Sequence, residues 1–241
     1  MKEKAVSYLS KENGFIAIFK PAGLLSIPDR YNQALPSAYE ICKAQHQELY
    51  IVHRLDKDTS GIMLFATDKV AHQKLNMLFE NQLVNKTYWA ITEGVPTPDE
   101  FTLDLPIAHD PSSPGRMIVH PKGKPSCTQY RILKKFKQFA LLELSPKSGR
   151  THQLRVHMAA IGHPLVADPL YGIRKSIGIQ DIKKRVRSID SDQPSYLLQR
   201  TALHAKSLSF VFDHHKFNLE APLPKDFAAL LSQLEKWNSP A

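Results

Sequence analysis

Short apolar runs alternate with polar segments rich in glycine and proline along this chain. Most of the segments that contain these runs are five or six residues long, which is the length of a strand rather than of a helix. The strand candidates are residues 15–19, 49–52, 62–66, 87–91, 128–133 and 139–144, with two alternating segments within residues 205–223. The two runs on either side of Lys134, Lys135 and Lys137 are predicted to form a hairpin.

Apolar residues at three- and four-residue spacing predict helices at four places. A short helix is expected within residues 37–45, and a longer one is expected to follow Thr67 and Asp68. A third helix is expected to be capped by Thr151 and to end at residues 162–164. A C-terminal helix is predicted to carry a core-facing stripe, which consists of Phe227, Leu230, Leu231, Leu234 and Trp237.

Strands outnumber helices and do not alternate with them regularly, so the predicted fold class is α+β with a mixed, largely antiparallel sheet and flanking helices. We expect residues 1–241 to form one bilobed domain. Residues 94–125 are rich in proline and glycine and are predicted to be a surface excursion with a short strand at 117–119. Residues 174–187 are strongly basic, which fits either an excursion over the functional face or a solvated charge run.

Composition narrows the class of protein. The chain has 241 residues and a net charge of +9, and such a basic balance favours a polyanionic partner such as RNA or DNA over a mildly basic protein without a nucleic-acid partner. Cys42 and Cys127 are too few for a disulfide framework or a zinc site, and free thiols fit the reducing cytoplasm. No signal peptide or membrane span is expected, because the longest apolar runs have about five residues.

One polar stretch, residues 53–61, lies between the apolar runs 49–52 and 62–66. A polar segment between two buried strands is a typical position for an active-site loop, because the strands hold it rigidly. Within it, Asp56 has cations close on both sides, Arg54 and Lys57. The pattern alone fits equally well a charged turn that the Thr-Ser-Gly segment closes.

The sequence of this stretch, His-Arg-Leu-Asp-Lys-Asp-Thr-Ser-Gly, resembles the catalytic motif of the RluA-type pseudouridine synthases. Other segments resemble further motifs of that family in the same order. They are Lys-Pro-Ala-Gly from residue 20, Lys-Thr-Tyr-Trp-Ala from residue 86, Gly-Arg-Thr-His-Gln-Leu-Arg-Val-His from residue 149 and Leu-His-Ala from residue 203. The resemblance covers about residues 15–222 and implies the pseudouridine synthase fold, with neither cofactor nor metal.

The resemblance implies three catalytic residues. Asp56 is the essential carboxylate, which must stay ionised beside the substrate, and neighbouring cations oppose its desolvation. Arg155 is expected to pair with Asp56, a role that suits a permanently charged guanidinium. Tyr88 is expected to stack on the extracted uracil and to take part in proton transfer.

Four further residues are expected to contact the substrate. Arg54 is expected to fill the space that the flipped nucleotide vacates, and Leu203 to pack on the base or to hold the Asp56 loop. The remaining two are Arg150 and His53.

The implied partner is a structured RNA, in a large-subunit rRNA, a tRNA stem-loop or both. The target uridine must leave its stack to reach the site. The motifs begin by about residue 15, so we expect a small family member without an S4 RNA-binding domain. We also expect a monomer. The alternatives are a synthase for tRNA only and a non-catalytic RNA-binding or assembly protein.

A histidine-based hydrolase or metal site is a weaker interpretation. Its candidate residues are His152, His157 and His53. His152 and His157 are five residues apart, whereas four is the useful interval for two ligands on one helix face. These histidines are instead expected to hold loops by hydrogen bonds.

Overall fold

A computed structural model describes residues 5–183 and 196–240 of the chain. The chain divides into two compact units. The first unit comprises Met1–Tyr88 and His204–Pro222, and the second comprises Trp89–Leu203 and Leu223–Ala241.

The described residues form the following strands and helices. In chain order they are β1 (Ser7–Glu12), β2 (Phe15–Lys20), α1 (Ala38–Lys43), β3 (Tyr50–Ile51), β4 (Ser60–Ala66), α2 (Lys69–Glu80), β5 (Asn85–Glu93), β6 (Glu100–Asp104), β7 (Ile107–His109) and β8 (Met117–Val119). They continue with β9 (Cys127–Lys135), β10 (Phe139–Pro146), α3 (Gln153–Ala160), β11 (Ile177–Gly178), α4 (Ile179–Ile182), β12 (Tyr196–Leu198), β13 (Leu203–Phe212), β14 (His215–Glu220) and α5 (Lys225–Trp237). None of the helices in the described part of the chain is long and apolar enough to cross a membrane.

The first unit is built around strand β4, whose seven residues are all buried. β2 pairs with β4 in antiparallel register, and β1 pairs with the other edge of β2. β13 pairs with β4 in parallel, and β14 returns as an antiparallel hairpin partner of β13. Helix α2 begins where the Asp68 carboxylate accepts a hydrogen bond from the Ala71 amide at 2.8 Å, as expected of an N-cap.

The parallel pairing of β4 and β13 explains a glycine in the central motif. Gly61 has a φ of +123° and lies opposite Ala205. A Cβ atom at this position would lie 2.2 Å from the Ala205 carbonyl oxygen. Only glycine therefore permits both the backbone conformation and the close approach of the strands.

In the second unit, strands β5, β10, β9 and β6 follow one another in the sheet. β9 pairs with both β10 and β6 in antiparallel register. The core of this unit packs Phe227, Leu230 and Leu234 of α5 against buried sheet residues, including Ile91 and Phe139. β7 and β8 form a separate antiparallel hairpin.

The structure confirms the α+β class and the largely antiparallel sheet, and it corrects three details. Glu100–Asp104 and Ile107–His109 form strands β6 and β7 within the predicted excursion, and β6 pairs with β9. The N-cap of α3 is His152 rather than Thr151. Trp237 is 40% exposed, and the ammonium groups of Lys183 and Lys236 lie over its ring, so it is not a core residue.

The basic segment 174–187 is described only as far as residue 183. Arg174 pairs with Glu93 at 2.6 Å and with Asp181 at 3.2 Å, so it belongs to a charge cluster of the fold. The prediction for residues 184–187 lies outside the described residues.

Candidate active site

A buried lysine holds the polar loop that connects β3 to β4. The Lys20 side chain is fully buried, and its Nζ atom donates to the carbonyl of Lys57 at 3.0 Å and to that of Leu24 at 2.8 Å. The Lys57 carbonyl also accepts the Gly23 amide at 2.8 Å. Because a buried ammonium requires acceptors to offset its desolvation, these contacts fix the loop against the end of β2.

A serine fixes the same loop one step earlier. The Ser26 hydroxyl donates to the Leu55 carbonyl at 2.7 Å and accepts the Leu55 amide at 3.0 Å. The Leu55 side chain is buried in the core of the first unit. The residue that precedes Asp56 is thus held by its backbone and by its side chain.

Asp56 occupies the turn that follows. The Thr59 amide donates to the Asp56 carbonyl at 3.1 Å, which closes the turn, so the local turn that the sequence also favoured is present. The Asp56 side chain is partly buried, whereas Arg54 and Lys57 are exposed. The loop thereby presents its charged side chains while Leu55 anchors it.

Tyr88, near the middle of β5, is close enough to Asp56 for the two to interact electrostatically. Burial raises the pKa of the Tyr88 phenol well above its usual value, and the Asp56 carboxylate raises it further. Tyr88 also packs on the apolar core of the first unit. It is therefore a neutral phenol at physiological pH, which can donate a hydrogen bond and offer a flat apolar face.

His53 has contacts typical of a structural residue. Its Nε2 atom accepts the Leu64 amide at 2.9 Å, and its ring stacks on Phe79 with centroids 4.6 Å apart. Burial lowers the pKa of His53 to about 3, with the nearby Lys86 charge as a second cause. The imidazole is therefore neutral, and it ties the start of the polar loop to β4 and α2. Its contact with substrate stays a prediction.

Another motif histidine joins the two parallel strands. His204 is fully buried at the start of β13, and its Nδ1 atom lies 3.0 Å from the Ser60 hydroxyl. This pair lies directly beside the contact of Gly61 with Ala205. The Leu-His-Ala and Thr-Ser-Gly motifs thus meet in one structural junction.

In the second unit, Arg155 on α3 is 7% exposed and forms a two-pronged ion pair with Asp168. Its Nε atom donates to one carboxylate oxygen at 2.7 Å, and its Nη2 atom donates to the other at 2.8 Å. Such a bidentate pair fixes the plane of a guanidinium. The pairing of Arg155 with Asp56 stays a prediction.

The other two sequence-predicted residues of the second unit differ in exposure. Arg150 is exposed, and its Nε atom donates to the Pro125 carbonyl at 3.3 Å. Leu203 is buried, and its carbonyl accepts Nη1 of Arg200 at 3.2 Å. Their contacts with substrate stay predictions.

The remaining polar residues of the Arg155 motif hold the fold together. Gln153 donates to the Cys127 carbonyl and to the Thr128 hydroxyl, and it accepts the Ser148 hydroxyl. His157 is fully buried between the Leu105 carbonyl at 2.9 Å and the Thr128 hydroxyl at 3.0 Å. Burial lowers its pKa. These bonds confirm the expectation that His157 fastens loops.

Within the described residues, no three His, Cys, Asp or Glu side chains are grouped as a metal site.

The sequence assigns no role to four residues that support the predicted site residues within their own units: Lys20 and Ser26 in the first unit, and Asp168 and Tyr171 in the second. The motif that begins at Lys20 does not indicate that the ammonium contacts the Lys57 carbonyl. No sequence motif points to Asp168 or Tyr171.

A sequence profile of the family described as RNA pseudouridylate synthase matches residues 14–160. An uncharacterized RNA pseudouridine synthase of Bacillus subtilis, YlyB, is 40% identical over 194 residues, which cover 77% of this chain and 56% of that protein. The chain thus spans just over half the length of this relative. The dual-specificity RNA pseudouridine synthase RluA of Vibrio vulnificus is 39% identical over 167 residues, 67% of each chain.

A solved structure agrees with these sequence matches. The structure named human RNA pseudouridylate synthase domain containing 4 matches with a TM-score of 0.74 and 30% identity. The match covers 95% of this chain and 92% of that one. The profile match contains Asp56, Tyr88 and Arg155.

Proposed function

This chain belongs to the RNA pseudouridine synthase family, and we propose that it isomerises specific uridines in structured RNA with Asp56 as the catalytic residue. The observation that carries the proposal is the placement of Asp56. Ser26 holds the backbone of the preceding residue, Leu55, and Lys20 holds the carbonyl of the following residue, Lys57. The Asp56 carboxylate also lies near the phenol of Tyr88.

The reaction exchanges one glycosidic bond for another. The bond between N1 of uracil and C1′ of ribose breaks, the uracil turns, and C5 bonds to the same C1′. N1 gains a proton and the proton on C5 leaves to solvent, so no oxidant or co-reactant is consumed. A carboxylate that is held rigidly beside the sugar and base can act as nucleophile or base in this exchange.

Tyr88 supports this chemistry as a neutral phenol. Its raised pKa leaves almost no phenolate in the unliganded protein, because burial disfavours the anion and the nearby Asp56 carboxylate disfavours it further. We assign it to stacking on the extracted uracil and to donating a hydrogen bond. Accepting a proton requires that substrate first change the charge near Asp56.

Arg155 is assigned to the cation that faces the reacting carboxylate. Its guanidinium is oriented by Asp168, and such preorganisation reduces the cost of arranging charge at the moment of reaction. Arg54, on the same loop as Asp56, is assigned to the space left by the flipped nucleotide. A long exposed cation suits that role because it can reach the acceptor groups of the RNA.

We assign binding of the RNA backbone to a basic strip in the second unit, which consists of the exposed residues Lys122, Lys124 and Arg150. Arg150 reaches the segment that carries the lysines through its bond to Pro125. Extruding a stacked uridine costs a few kcal/mol, which phosphate contacts of this kind can offset. Neutralising three phosphates predicts that log Kobs falls with log salt concentration with a slope of about −2 to −3.

The substrate class follows from the resemblance to the RluA subgroup. We propose a stem-loop in large-subunit rRNA, in tRNA or in both, with a tRNA-only synthase as the alternative. A monomer that acts in the cytoplasm completes the proposal.

Two measurements test the function and its target. Transcripts of candidate stem-loops carrying 5-tritiated uridine should release tritium to water when the protein is added. When the gene is deleted, specific sites in total RNA should carry uridine in place of pseudouridine. The sites that lose the modification identify the target. If no RNA offered releases tritium and no site changes in the deletion strain, the catalytic proposal is wrong.

A further inference from the structure

Three elements of the second unit meet at Tyr171. Its hydroxyl oxygen accepts the Met117 amide at 2.8 Å, and this amide starts strand β8 of the β7–β8 hairpin. The same hydroxyl lies 2.9 Å from Nδ1 of His152, the N-cap residue of α3. The ring lies 5.1 Å from the guanidinium carbon of Arg155. One side chain thus contacts the hairpin, the start of α3 and the arginine assigned to the active site.

Tyr171 itself is held by the residue that holds Arg155. One carboxylate oxygen of Asp168 accepts the Tyr171 amide at 3.1 Å and the Leu170 amide at 2.9 Å. Both oxygens of that carboxylate accept donors of Arg155. The turn 168–171 therefore makes two contacts with the Arg155 guanidinium. The Asp168 carboxylate pairs with its edge, and the Tyr171 ring lies at cation–π distance.

A strained backbone supports the importance of the hydroxyl contact. His152 has a φ of +55°, in the left-handed region that non-glycine residues rarely adopt. Its side chain makes no capping bond to α3 and turns instead to Tyr171, whose ring lies edge-on to it. Such a conformation persists where surrounding contacts determine it.

The hairpin that Tyr171 ties down leads into the basic strip. β8 ends at Val119, and the segment that follows carries Lys122 and Lys124. Arg116, just before β8, lies with its guanidinium carbon 5.6 Å from the Tyr171 ring. Cations that flank the hairpin strand are therefore linked through one phenol to Arg155.

We propose that Tyr171 is a positioning residue, whose ring orients the Arg155 guanidinium and whose hydroxyl couples Arg155 to the β7–β8 hairpin and its basic strip. The inference rests on the proposed function, in which Arg155 acts on the reacting uridine and the strip binds RNA. It divides the side chain into two separable parts, so the ring governs the rate of isomerisation and the hydroxyl governs the affinity for RNA.

The test compares Tyr171→Phe with Tyr171→Leu in single-turnover assays and RNA-binding titrations. Tyr171→Phe keeps the ring, so we expect its rate at saturating RNA to stay within about twofold of wild type, while Kd rises about fivefold through loss of one hydrogen bond. Tyr171→Leu also removes the ring, so we expect its saturated rate to fall about 10- to 30-fold in addition.

Tyr130→Phe is the matched control, because that buried hydroxyl in the same unit donates to the Pro98 carbonyl at 2.9 Å. It should lower thermal stability by a similar amount without changing rate or Kd. A rate for Tyr171→Leu equal to that of wild type would overturn the proposal, as would an unchanged Kd for Tyr171→Phe. If the Leu variant fails to fold, the Kd of the Phe variant alone decides.

The premises fail in distinguishable ways. An inactive wild type would contradict the proposed function, whatever the Tyr171 variants do. An active wild type with an equally active Arg155→Gln variant would contradict the role of Arg155. If wild type is active and Arg155→Gln is slower, both premises hold. The rates and Kd values of the two Tyr171 variants then decide whether Tyr171 positions Arg155.

Discussion

The ammonium of Lys20 lies 3.0 Å from the carbonyl oxygen of Lys57, the residue after Asp56. Lys20 ends β2 and is fully buried, so its charge is satisfied by backbone carbonyls at the end of that strand and in the loop. Lys20 therefore fastens the Asp56 loop to the end of β2, which is a structural role.

Replacing Lys20 by Met should destabilise the protein by about 3 kcal/mol, because buried carbonyls lose their donor. The catalytic rate should fall as well, since the Asp56 loop loses its anchor. Urea unfolding and tritium release measure the two effects. Lys74→Met, which removes an exposed ion pair with Asp213, is the control and should cost less than about 1 kcal/mol. Equal losses in the two variants would contradict the anchoring role.

Gly61→Ala should destabilise the fold by roughly 3 kcal/mol or more, from a strained φ together with the clash against Ala205. Gly115→Ala provides a matched comparison, because Gly115 also has a positive φ but its added Cβ would meet no atom within 4 Å. We expect only about 1 kcal/mol there. Thermal unfolding of both variants tests the difference, and similar melting temperatures would refute the argument from close strand approach.

The neutral state of His53 predicts a pH dependence of stability. Its pKa is lowered from 6.5 to about 3 in the folded protein, so the unfolded chain binds the proton more tightly. The contribution of His53 is fully present above pH 6.5 and is lost as the pH falls towards 3, at up to about 1.4 kcal/mol per pH unit. Other groups add to the total slope.

His53→Gln keeps an acceptor for the Leu64 amide but does not titrate, so unfolding free energies at pH 7 and pH 5 should differ less than in wild type. His109→Gln makes the same change at an exposed histidine and is the control. A His53→Gln variant with the wild-type slope would show that another group carries the dependence.

Asp168→Asn should leave the Arg155 guanidinium without its carboxylate, which for a buried pair costs about 3 kcal/mol or more. We expect the rate at saturating RNA to fall beyond what the stability loss explains. Glu93→Gln is the control, because it removes the carboxylate from the largely buried pair with Arg174. It should lower stability and leave the rate unchanged at a temperature where both variants are folded. A rate that falls equally in the two variants would argue against a positioning role for Asp168.

The local elements followed from sequence because their signals are local. The apolar run of β4 and the spacing of Ala71 and Leu75 on α2 each specify one element without help from distant residues. The sequence does not predict β6, although Phe101 and Leu103 alternate there, because the surrounding prolines and glycines favour a surface excursion. Its pairing with β9 decided the outcome.

The candidate site was predicted only where a motif carried the chemistry. Asp56 and Tyr88 lie far apart in sequence, and the resemblance related them before the structure placed them near each other. The supporting contacts could not be predicted in the same way. Lys20 reaches across 37 residues to Lys57, and Tyr171 reaches across 54 residues to Met117, and such distant contacts depend on the packed fold.

The most direct test of the central claim is the single-turnover formation of pseudouridine in a stem-loop substrate by wild type, Asp56→Asn and Asp213→Asn. Asp213 is an exposed residue in a turn with positive φ, which asparagine tolerates well, so its variant controls for the chemical change itself. We predict that wild type and Asp213→Asn convert the target uridine at the same rate and that Asp56→Asn forms no detectable product while still binding the RNA. Product formation by Asp56→Asn at the wild-type rate would contradict the assignment of Asp56.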